Sequence, residues 1–420
     1  MSIAKFLLAL LAILGCPLFI VISAFALLSF WSVDIDLSVV IIEMTRLSET
    51  PLLISLPLFI FTGILLSESN APKRILQVSQ SLLGWLPGGL GVVTLIVCAV
   101  FTAFTGATGV TIFALGGLLL PALVGDRYEN RFSMGLITSS GSLGLLFPPS
   151  LPIILYGVIS SSRIDHLFVA GLLPGAFMLL LLIIYTMIKS PRRAADTKKV
   201  TKNDILTSLR LCIWEIPLPF IIIGGIYGGF LIASEAAAIA ALYVLIVEVG
   251  IYRDIPIRSL PKIMAGSMVL FGGILVILAA SMASTNFLID QQVPQRLFEL
   301  LQSYITSKYT FLLLLNIFLL IVGAMLDIFS AIVLIVPLIL PIAIGYDIDP
   351  IHLGIIFLTN LQIGYCTPPV GLNLFLASYR FDKPVIELYR ACLPFIGLLL
   401  VALLVITYFP PLSMALLSYW

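Results

Sequence analysis

The chain has 420 residues, of which 60% are apolar and only 10% are charged, and its formal net charge is +1. Soluble domains carry roughly 25% charged residues, so this composition predicts an all-α polytopic membrane protein embedded in a lipid bilayer. The near-neutral charge gives no support for a nucleic-acid partner. The five cysteines show no spacing typical of metal ligands, so we predict no cofactor.

The N-terminal segment is open to two interpretations. Residues 6–31 form an apolar run in which Ala24-Phe25-Ala26 resembles a signal cleavage site, and residues 13–16 loosely resemble a lipoprotein signal. The run is longer than a signal core of roughly 7–15 residues. We therefore predict a retained first helix, with residues 1–50 forming a scaffold helix and an outer loop.

Three uncharged runs follow, at residues 75–125, 132–162 and 167–188, and each is long enough to cross a bilayer. A mixed polar and apolar segment at residues 69–89 suits the membrane interface. Glycines interrupt residues 90–124 at Thr105-Gly-Ala-Thr-Gly109. This pattern predicts a re-entrant hairpin rather than a simple span.

Two proline pairs interrupt apolar segments in the two halves of the chain. Pro148-Pro149 lies within residues 132–162, and Pro368-Pro369 lies within residues 353–377. Proline lacks an N–H and clashes with the preceding turn, so each pair predicts a helix broken within the membrane. Exposed backbone at that depth is tolerated only where it lines a cavity. Two matched breaks predict a binding site near the midplane of a secondary transporter.

The distribution of positive charge predicts the topology. Residues 189–210 carry seven Lys or Arg and two Asp, which indicates a cytoplasmic loop. Counting from this loop makes residues 310–342 a second hairpin, entered from outside. It also places the N-terminus in the cytoplasm and the C-terminus in the periplasm. Of the 22 Lys and Arg residues, only four then face outward: Arg46, Arg163, Arg296 and Lys308.

An inverted repeat follows from the same assignment. Shifting the sequence by 220 residues aligns Pro121 with Pro341, Gly144 with Gly364, and the two proline pairs. We predict a first inverted repeat at residues 51–188, a basic loop and linking helix at 189–231, and a second repeat at 232–420. Because the hairpins enter from opposite faces, the two halves are inverted.

Small hydroxyl residues and glycines surround the first break and the first hairpin tip. Sodium prefers oxygen ligands, and freed carbonyls with hydroxyls supply them without a buried charge. The alternative is that these hydroxyls only allow close packing and bond to their own helix. The predicted substrate- or ion-binding residues in this half are Thr105, Gly106, Thr108, Ser139, Ser140, Gly141, Ser142, Gly144, Pro148 and Pro149.

Amides flank the second break, where an unpaired amide at membrane depth is costly. Together they predict a polar cavity, although any one of them could simply bond between helices. The predicted residues in this half are Asn360, Gln362, Gly364, Thr367, Pro368, Pro369 and Asn373. Within both halves, the predicted sodium ligands are Thr108, Ser140, Gly144, Gly364 and Thr367.

Asp327 is the only charged residue between Lys308 and Asp347. It could bind a cation, or it could cap the second helix of its hairpin. The histidines His166 and His352 are predicted at membrane interfaces. An intramembrane protease would need two facing acids, or a serine beside a deep histidine, and the sequence provides neither. We therefore predict that the chain is not an enzyme.

Several motifs resemble the large membrane subunit of TRAP (tripartite ATP-independent periplasmic) transporters. The resemblance covers roughly residues 50–180 and 215–405. Its most specific element is Asn360-Leu-Gln-Ile-Gly364 followed by Thr367-Pro-Pro-Val-Gly-Leu-Asn373. The other matching segments are Gly141-Ser-Leu-Gly-Leu-Leu-Phe-Pro-Pro-Ser-Leu-Pro152, Gly225-Ile-Tyr-Gly-Gly229, Ser234-Glu-Ala-Ala-Ala238 and Asp349-Pro-Ile-His-Leu-Gly354.

This resemblance implies an inverted-repeat, elevator-type importer in a bacterial inner membrane, coupled to sodium ions. It also implies two partners, a small membrane subunit and a periplasmic substrate-binding protein that delivers an organic acid. The substrate would be a C4-dicarboxylate, sialic acid or a related carboxylate. Members of the family commonly carry a serine pair at the first hairpin tip, where this chain has Ala107 and Thr108. The alternative is a stand-alone sodium- or proton-coupled dicarboxylate symporter.

Overall fold

The computed structural model describes residues 8, 10–11, 16–45, 51–84, 86, 88–190 and 202–419. Part of the predicted N-terminal helix, Arg46 and residues 191–201 of the basic loop therefore lie outside the described residues. The described residues form helices joined by turns, and no strand occurs among them.

The longer helices are α1 (Leu18–Trp31), α2 (Ser38–Thr45), α3 (Ser55–Glu68), α4 (Ala71–Leu83), α5 (Gly89–Thr105), α6 (Thr108–Gly125), α7 (Asn130–Ser140), α8 (Leu151–Ser160), α9 (Ile164–Lys189), α10 (Lys202–Leu211), α11 (Pro217–Tyr227), α12 (Ala233–Leu245), α13 (Leu260–Asp290), α14 (Val293–Tyr304), α15 (Lys308–Met325), α16 (Ile328–Gly345), α17 (Pro350–Gly364), α18 (Leu372–Phe381), α19 (Val385–Tyr408) and α20 (Pro411–Met414). Four 3-10 turns lie at Pro51–Ile54, Leu143–Leu146, Ile257–Ser259 and Ala415–Tyr419, and a π-helical segment, Ile246–Ile251, continues α12.

Seven helices in the described part of the chain are long and apolar enough to cross a membrane. They are α6, α9, α12 with its π-helical continuation, α13 with the turn before it, α15, α16 and α19. An eighth span results if the bent pair formed by α7 and α8 counts as one, with a bend of 43° at the first proline pair. The prediction of an all-α, multi-pass membrane protein is confirmed.

Two helical hairpins are built around short turns. Between α5 and α6, Gly106 adopts φ +63°, and a Cβ at this position would lie 2.4 Å from the side chain of Leu151. Between α15 and α16, the carboxylate of Asp327 accepts N–H groups of Phe329 at 3.0 Å and Ser330 at 3.1 Å. Asp327 therefore caps α16, as one of its two predicted roles requires.

The 220-residue offset recurs in the helix boundaries. Helices α6 and α16 begin and end 220 residues apart, and α7 and α17 begin 220 residues apart. The packing is reciprocal as well, because α6 packs against α18 while their counterparts α16 and α8 pack against each other. The sequence offset thus corresponds to a repeated three-dimensional arrangement.

The two hairpin tips have different surroundings. At the first tip, α3 approaches so closely that a Cβ on Gly63 would lie 2.5 Å from the Cα atom of Thr105. The position 220 residues later, Ala283 in α13, packs instead in a cluster with Ala26 and Phe30 of α1. Met325, at the second tip, is 59% exposed. The first hairpin is therefore packed on a neighbouring helix, whereas the second has an exposed tip.

A buried ion cluster joins α4 to distant parts of the chain. The guanidinium of Arg74 contacts the carboxylates of Glu215, Glu248 (2.9 Å) and Asp254 (2.6 Å), and it lies 3.8 Å from the ring centre of Tyr252. Burial alone would lower the pKa of Arg74, but the carboxylates raise it above its usual range. Burial likewise opposes the charged form of Asp254, yet hydrogen bonds from Asn70 and Arg74 lower its pKa.

Candidate functional site

The two helix breaks lie against each other. The hydroxyl of Ser142 donates to the carbonyl oxygen of Gln362 at 3.1 Å, and these two residues occupy equivalent positions 220 residues apart. The amide nitrogen of Asn373 donates to the carbonyl oxygen of Thr138 at 3.4 Å. The two breaks are therefore in direct contact.

Glycine permits each break to approach the first arm of its own hairpin. A Cβ on Gly144 would lie 2.3 Å from the carbonyl oxygen of Ala99 in α5. A Cβ on Gly364 would lie 2.5 Å from the carbonyl carbon of Gly323 in α15. Any side chain at these positions would force the break away from its hairpin, which explains why glycine occupies both.

Several hydroxyl groups at the breaks donate to their own helix or turn. Thr138 donates to the carbonyl oxygen of Met134 at 2.7 Å, Ser140 to that of Ile137 at 3.1 Å, and Thr367 to that of Gly364 at 2.9 Å. This is the local bonding that the alternative interpretation expects. A hydroxyl that donates its proton in this way still offers oxygen lone pairs, so the observed bonds are compatible with cation coordination.

Five buried side-chain oxygens around the breaks have no hydrogen-bond partner within the described residues. They are Ser139 Oγ, Ser150 Oγ, Asn360 Oδ1, Gln362 Oε1 and Asn373 Oδ1. The thiols of Cys366 and Cys392, which are weak hydrogen-bonding groups, lie beside Ser139. A buried oxygen left without a donor costs about 1–3 kcal/mol. A concentration of such acceptors is suited to a cation or to a ligand that donates hydrogen bonds.

Helix termini add opposite partial charges to the same region. Helices α7 and α17 end at Ser140 and Gly364, so their carbonyl ends point to the breaks. Helices α8 and α18 begin beyond the breaks, where free N–H groups favour an anion. Gly371 precedes α18 with φ +61°, and its N–H donates to the carbonyl oxygen of Ala324 at 2.9 Å. Each break thus offers one end that attracts cations and one that attracts anions.

The first hairpin is linked to the first break by residues that sequence reasoning missed. The hydroxyl of Thr102 donates to the carbonyl oxygen of Gly141 at 2.8 Å and lies 2.6 Å from the hydroxyl oxygen of Thr111. Both threonines are within about one helical turn of the tip, a signal that could have identified them. The predicted tip residues Thr105 and Thr108 are buried, and Thr105 makes a long bond, 3.4 Å, to the carbonyl oxygen of Ala107.

The remaining predicted residues differ in exposure. Pro148 and Pro149 are buried, whereas Pro368 and Pro369 are exposed and Thr367 is partly exposed. Within the described residues, the site contains no cluster of His, Cys, Asp or Glu suited to a metal ion. Neutral oxygens and helix ends therefore supply its electrostatics.

Asn360 also takes part in a polar network that extends away from the breaks. Its amide nitrogen donates to Asn316 Oδ1 at 2.7 Å, and Asn316 in turn donates to the hydroxyl of Thr407 at 3.1 Å. His352 extends this network, with its ring nitrogens 2.6 Å from Ser413 Oγ and 3.3 Å from the carbonyl oxygen of Thr407. His352 is 3% exposed and lies in the first turn of α17. The terminal helices α19 and α20 cover it, and sequence spacing could not reveal that contact.

Comparison with known proteins identifies the family. The family described as "Tripartite ATP-independent periplasmic transporter, DctM component" matches residues 5–412. The C4-dicarboxylate TRAP transporter large permease protein DctM of Pseudomonas aeruginosa is 34% identical over 376 residues, covering 89% of this chain and 88% of the relative. The ectoine TRAP transporter large permease protein TeaC of Halomonas elongata is 31% identical over 364 residues, covering 86% and 85%.

Two further comparisons concern length and fold. The isethionate TRAP transporter permease protein DctMQ of Oleidesulfovibrio alaskensis is 33% identical over 413 residues, which cover 97% of this chain but 64% of that relative. The solved YdaH transporter of Alcanivorax borkumensis superimposes with a TM-score of 0.61 at 14% identity, covering 87% of this chain and 86% of that one. The similarity to YdaH concerns the fold alone.

The family match and the curated relatives agree over most of the chain, and these relatives are transport permeases rather than enzymes. The predictions of the family and of a non-enzymatic function are therefore confirmed. The chain belongs to the DctM component family, the large permeases of the tripartite ATP-independent periplasmic transporters.

Proposed function

We propose that this chain is the large permease of a sodium-coupled importer for an organic acid in a bacterial inner membrane. A periplasmic binding protein would deliver the acid, and a small membrane subunit would complete the transporter. C4-dicarboxylates, sialic acid and related carboxylates are the proposed substrates. The N-terminus would lie in the cytoplasm and the C-terminus in the periplasm.

The observation that carries sodium coupling is the set of unpartnered buried oxygens at the paired breaks. Ser139, Gln362 and Asn373 contribute such oxygens close to the carbonyl ends of α7 and α17. Sodium would satisfy these acceptors and balance the negative helix ends. We retain the predicted ligands Thr108, Ser140, Gly144, Gly364 and Thr367, with carbonyl oxygens acting at the glycines.

The carboxylate substrate would bind near the N-terminal ends of α8 and α18. Ser150 lies directly before α8, and its hydroxyl has an unpartnered buried oxygen. That hydroxyl and the free N–H groups can donate to a carboxylate. Because relatives are named for C4-dicarboxylates, isethionate and ectoine, the test substrates must include a sulfonate and a zwitterion beside the carboxylates.

The proposed mechanism is an elevator. The two hairpins and two broken helices would form the moving unit, because α6 packs on α18 and α16 packs on α8. Helices α3, α12 and α13 would form the scaffold, since α3 packs against both α12 and α13. The inverted arrangement of residues 51–188 and 232–420 is part of this proposal, as are the first scaffold segment 1–50 and the linker 189–231. The different packing of the two hairpin tips supports it.

The test is uptake into proteoliposomes driven by a sodium gradient. The chain would be reconstituted alone, and then with its small subunit and binding protein, and supplied with a panel of radiolabelled carboxylates, isethionate and ectoine. Sodium-dependent uptake only in the presence of both partners is the expected result. Uptake by the chain alone would instead establish the stand-alone symporter, while uptake indifferent to sodium would refute the proposed coupling.

A further inference from the structure

A basic cleft lies where α7, α9 and α19 meet, away from the helix breaks. It has a volume of about 270 Å³, and Arg131, Lys189 and Arg390 line it together with the carboxylate of Glu129. The three basic side chains are exposed. Three cations against one carboxylate make this cleft a positively charged surface.

The basic groups of the cleft are not neutralised by neighbouring acids. In the described part of the chain, ion pairs within 4.0 Å involve Arg74 and Arg163, and none involves Arg131, Lys189 or Arg390. Arg131 donates to the carbonyl oxygen of Arg390 at 3.0 Å, which holds the two arginines together. Their remaining donors can therefore converge on one anionic group.

Aromatic rings form the floor of the cleft. The ring centres of Phe132 and Phe395 are 5.5 Å apart, those of Tyr185 and Phe395 are 5.4 Å apart, and Tyr128 stacks on Phe132 at 5.7 Å. Aromatic clusters of this kind are enriched where a membrane meets water. Basic side chains just beyond such rings lie at the depth of lipid headgroups.

A neighbouring cavity of about 360 Å³ provides an internal comparison. It shares Glu129, Arg131 and Arg390 but also includes Glu387, so two carboxylates offset two arginines there. An anion is therefore favoured in the first cleft, where Lys189 replaces Glu387. The apolar floor of that cleft, with exposed Pro394 at its edge, also suits an acyl chain.

We propose that this cleft binds the headgroup of an anionic phospholipid from the leaflet at the basic, predicted cytoplasmic side. The lipid phosphate would contact Arg131, Lys189 and Arg390, and an acyl chain would lie along the aromatic floor. A free phosphate ion lacks the apolar part and would use only the basic groups. Because α7 carries Ser139 and Ser140 at its other end, such a lipid would join the site-bearing helix to α19.

The experiment is native mass spectrometry of the purified, delipidated chain titrated with phosphatidylglycerol or phosphatidylcholine. The double variant Arg131→Gln/Arg390→Gln should bind phosphatidylglycerol at least about tenfold more weakly, because each basic contact with an anionic lipid is worth about 1 kcal/mol. Glu129→Gln should bind about threefold more tightly, since it removes the only carboxylate of the cleft. Arg258→Gln/Lys262→Gln, which changes two exposed basic residues elsewhere, should match the unaltered chain.

The double arginine variant and Glu129→Gln are expected to change the affinity for phosphatidylglycerol in opposite directions. A misfolded protein would not bind the lipid more tightly, so the test does not depend on folding alone. Equal binding of phosphatidylglycerol and phosphatidylcholine would overturn the proposal. So would an equal loss in the Arg258/Lys262 control, or displacement of phosphatidylglycerol by inorganic phosphate at millimolar concentration and constant ionic strength. Because binding is measured directly, none of these results depends on the proposed transport activity.

Discussion

At the scale of a single residue, the buried hydroxyl of Ser139 can be interpreted in two ways. Its hydroxyl oxygen is fully buried and has no hydrogen-bond partner in the part of the chain that the structure describes, an arrangement that destabilises a protein unless a ligand uses that oxygen. The Ser139 hydroxyl is thus either a buried polar group that lowers stability or a group that binds a ligand. A substitution that removes only the hydroxyl separates these two interpretations.

We expect Ser139→Ala to leave the free energy of unfolding of the sodium-free protein unchanged, or to raise it by about 1 kcal/mol. The reason is that the substitution removes a buried hydroxyl that lowers stability. The same variant should lose at least half of the increase in melting temperature that sodium produces, since the stabilisation by a bound ion falls as its affinity falls. Melting in detergent with sodium or potassium chloride would measure both effects.

Ser281→Ala is the matched control for this substitution. Ser281 is also buried and donates to the carbonyl oxygen of Val333 at 2.9 Å, between α13 and α16. Its loss should lower stability by about 1 kcal/mol without changing the sodium effect. An unchanged sodium effect in Ser139→Ala would contradict the assignment of Ser139 to the ion site.

Gly364 provides a steric test at the second break. An alanine there would bring Cβ within 2.5 Å of the backbone of Gly323, so α17 and α15 must separate. We expect Gly364→Ala to destabilise the protein by about 1–3 kcal/mol and to reduce uptake at least tenfold. Gly397→Ala, in a helix where no atom lies within 4 Å of the added Cβ, is the control and should be neutral or slightly stabilising. Equal behaviour of the two variants would refute close packing at the break.

At the scale of helices, glycine and proline stand at the ends of the helices that form the hairpins and flank the breaks. The first hairpin was predicted at residues 90–124 and its arms span residues 89–125, while the second was predicted at 310–342 and spans 308–345. Glycine and proline act on the backbone next to them, so their effects can be deduced from sequence. The amphipathic helix α14 lies between α13 and the second hairpin, the position that α4 occupies before the first hairpin.

The ion cluster around Arg74 could not be deduced in this way. Arg74 is 141 residues from Glu215 and 180 residues from Asp254, so only tertiary packing brings these groups together. The sequence presented Arg74 as one of many cytoplasmic charges. In the structure, Arg74 connects α4 to the segment before α11 and to the end of α12.

We predict that Arg74→Gln will destabilise the protein by about 3–5 kcal/mol, because three carboxylates would then face one another without a cation. Adding Glu248→Gln should restore part of that loss by removing one of the buried charges. Arg74→Lys should have an intermediate effect, since lysine keeps the charge but lacks the planar, multidentate guanidinium. Chemical or thermal unfolding in detergent would measure the series.

Arg163→Gln is the comparison for a charge pair in water. Arg163 pairs with Asp165 at 2.5 Å, but its side chain is 67% exposed, so its loss should change stability by less than about 1 kcal/mol. If Arg74→Gln changed stability as little as Arg163→Gln does, the buried ion cluster would not hold α4 in place.

At the scale of the whole molecule, the contact between the two breaks was foreseen only in part. The sequence offset predicted that Ser142 and Gln362 are equivalent, but it could not show that they touch. The same limit applies to Asn360, whose hydrogen bond to Asn316 could not be deduced from the sequence. The sequence offset identifies which residues of the two halves are equivalent, whereas the packing of the helices determines which of these residues are in contact.

The elevator proposal predicts motion between two rigid parts, and exposed residues on each part allow its measurement. In a variant whose native cysteines are replaced, spin labels at Tyr379 in α18 and Ile257 before α13 would report on the moving unit relative to the scaffold. Labels at Tyr379 and Tyr309 would lie within the moving unit, and all three positions are exposed. We expect the first distance distribution to shift between sodium-free and sodium-plus-substrate conditions, while the second stays fixed because α15 and α18 move together. Changes in both pairs would indicate local rearrangement of the broken helices instead, and no change in either pair under conditions that support uptake would exclude the elevator.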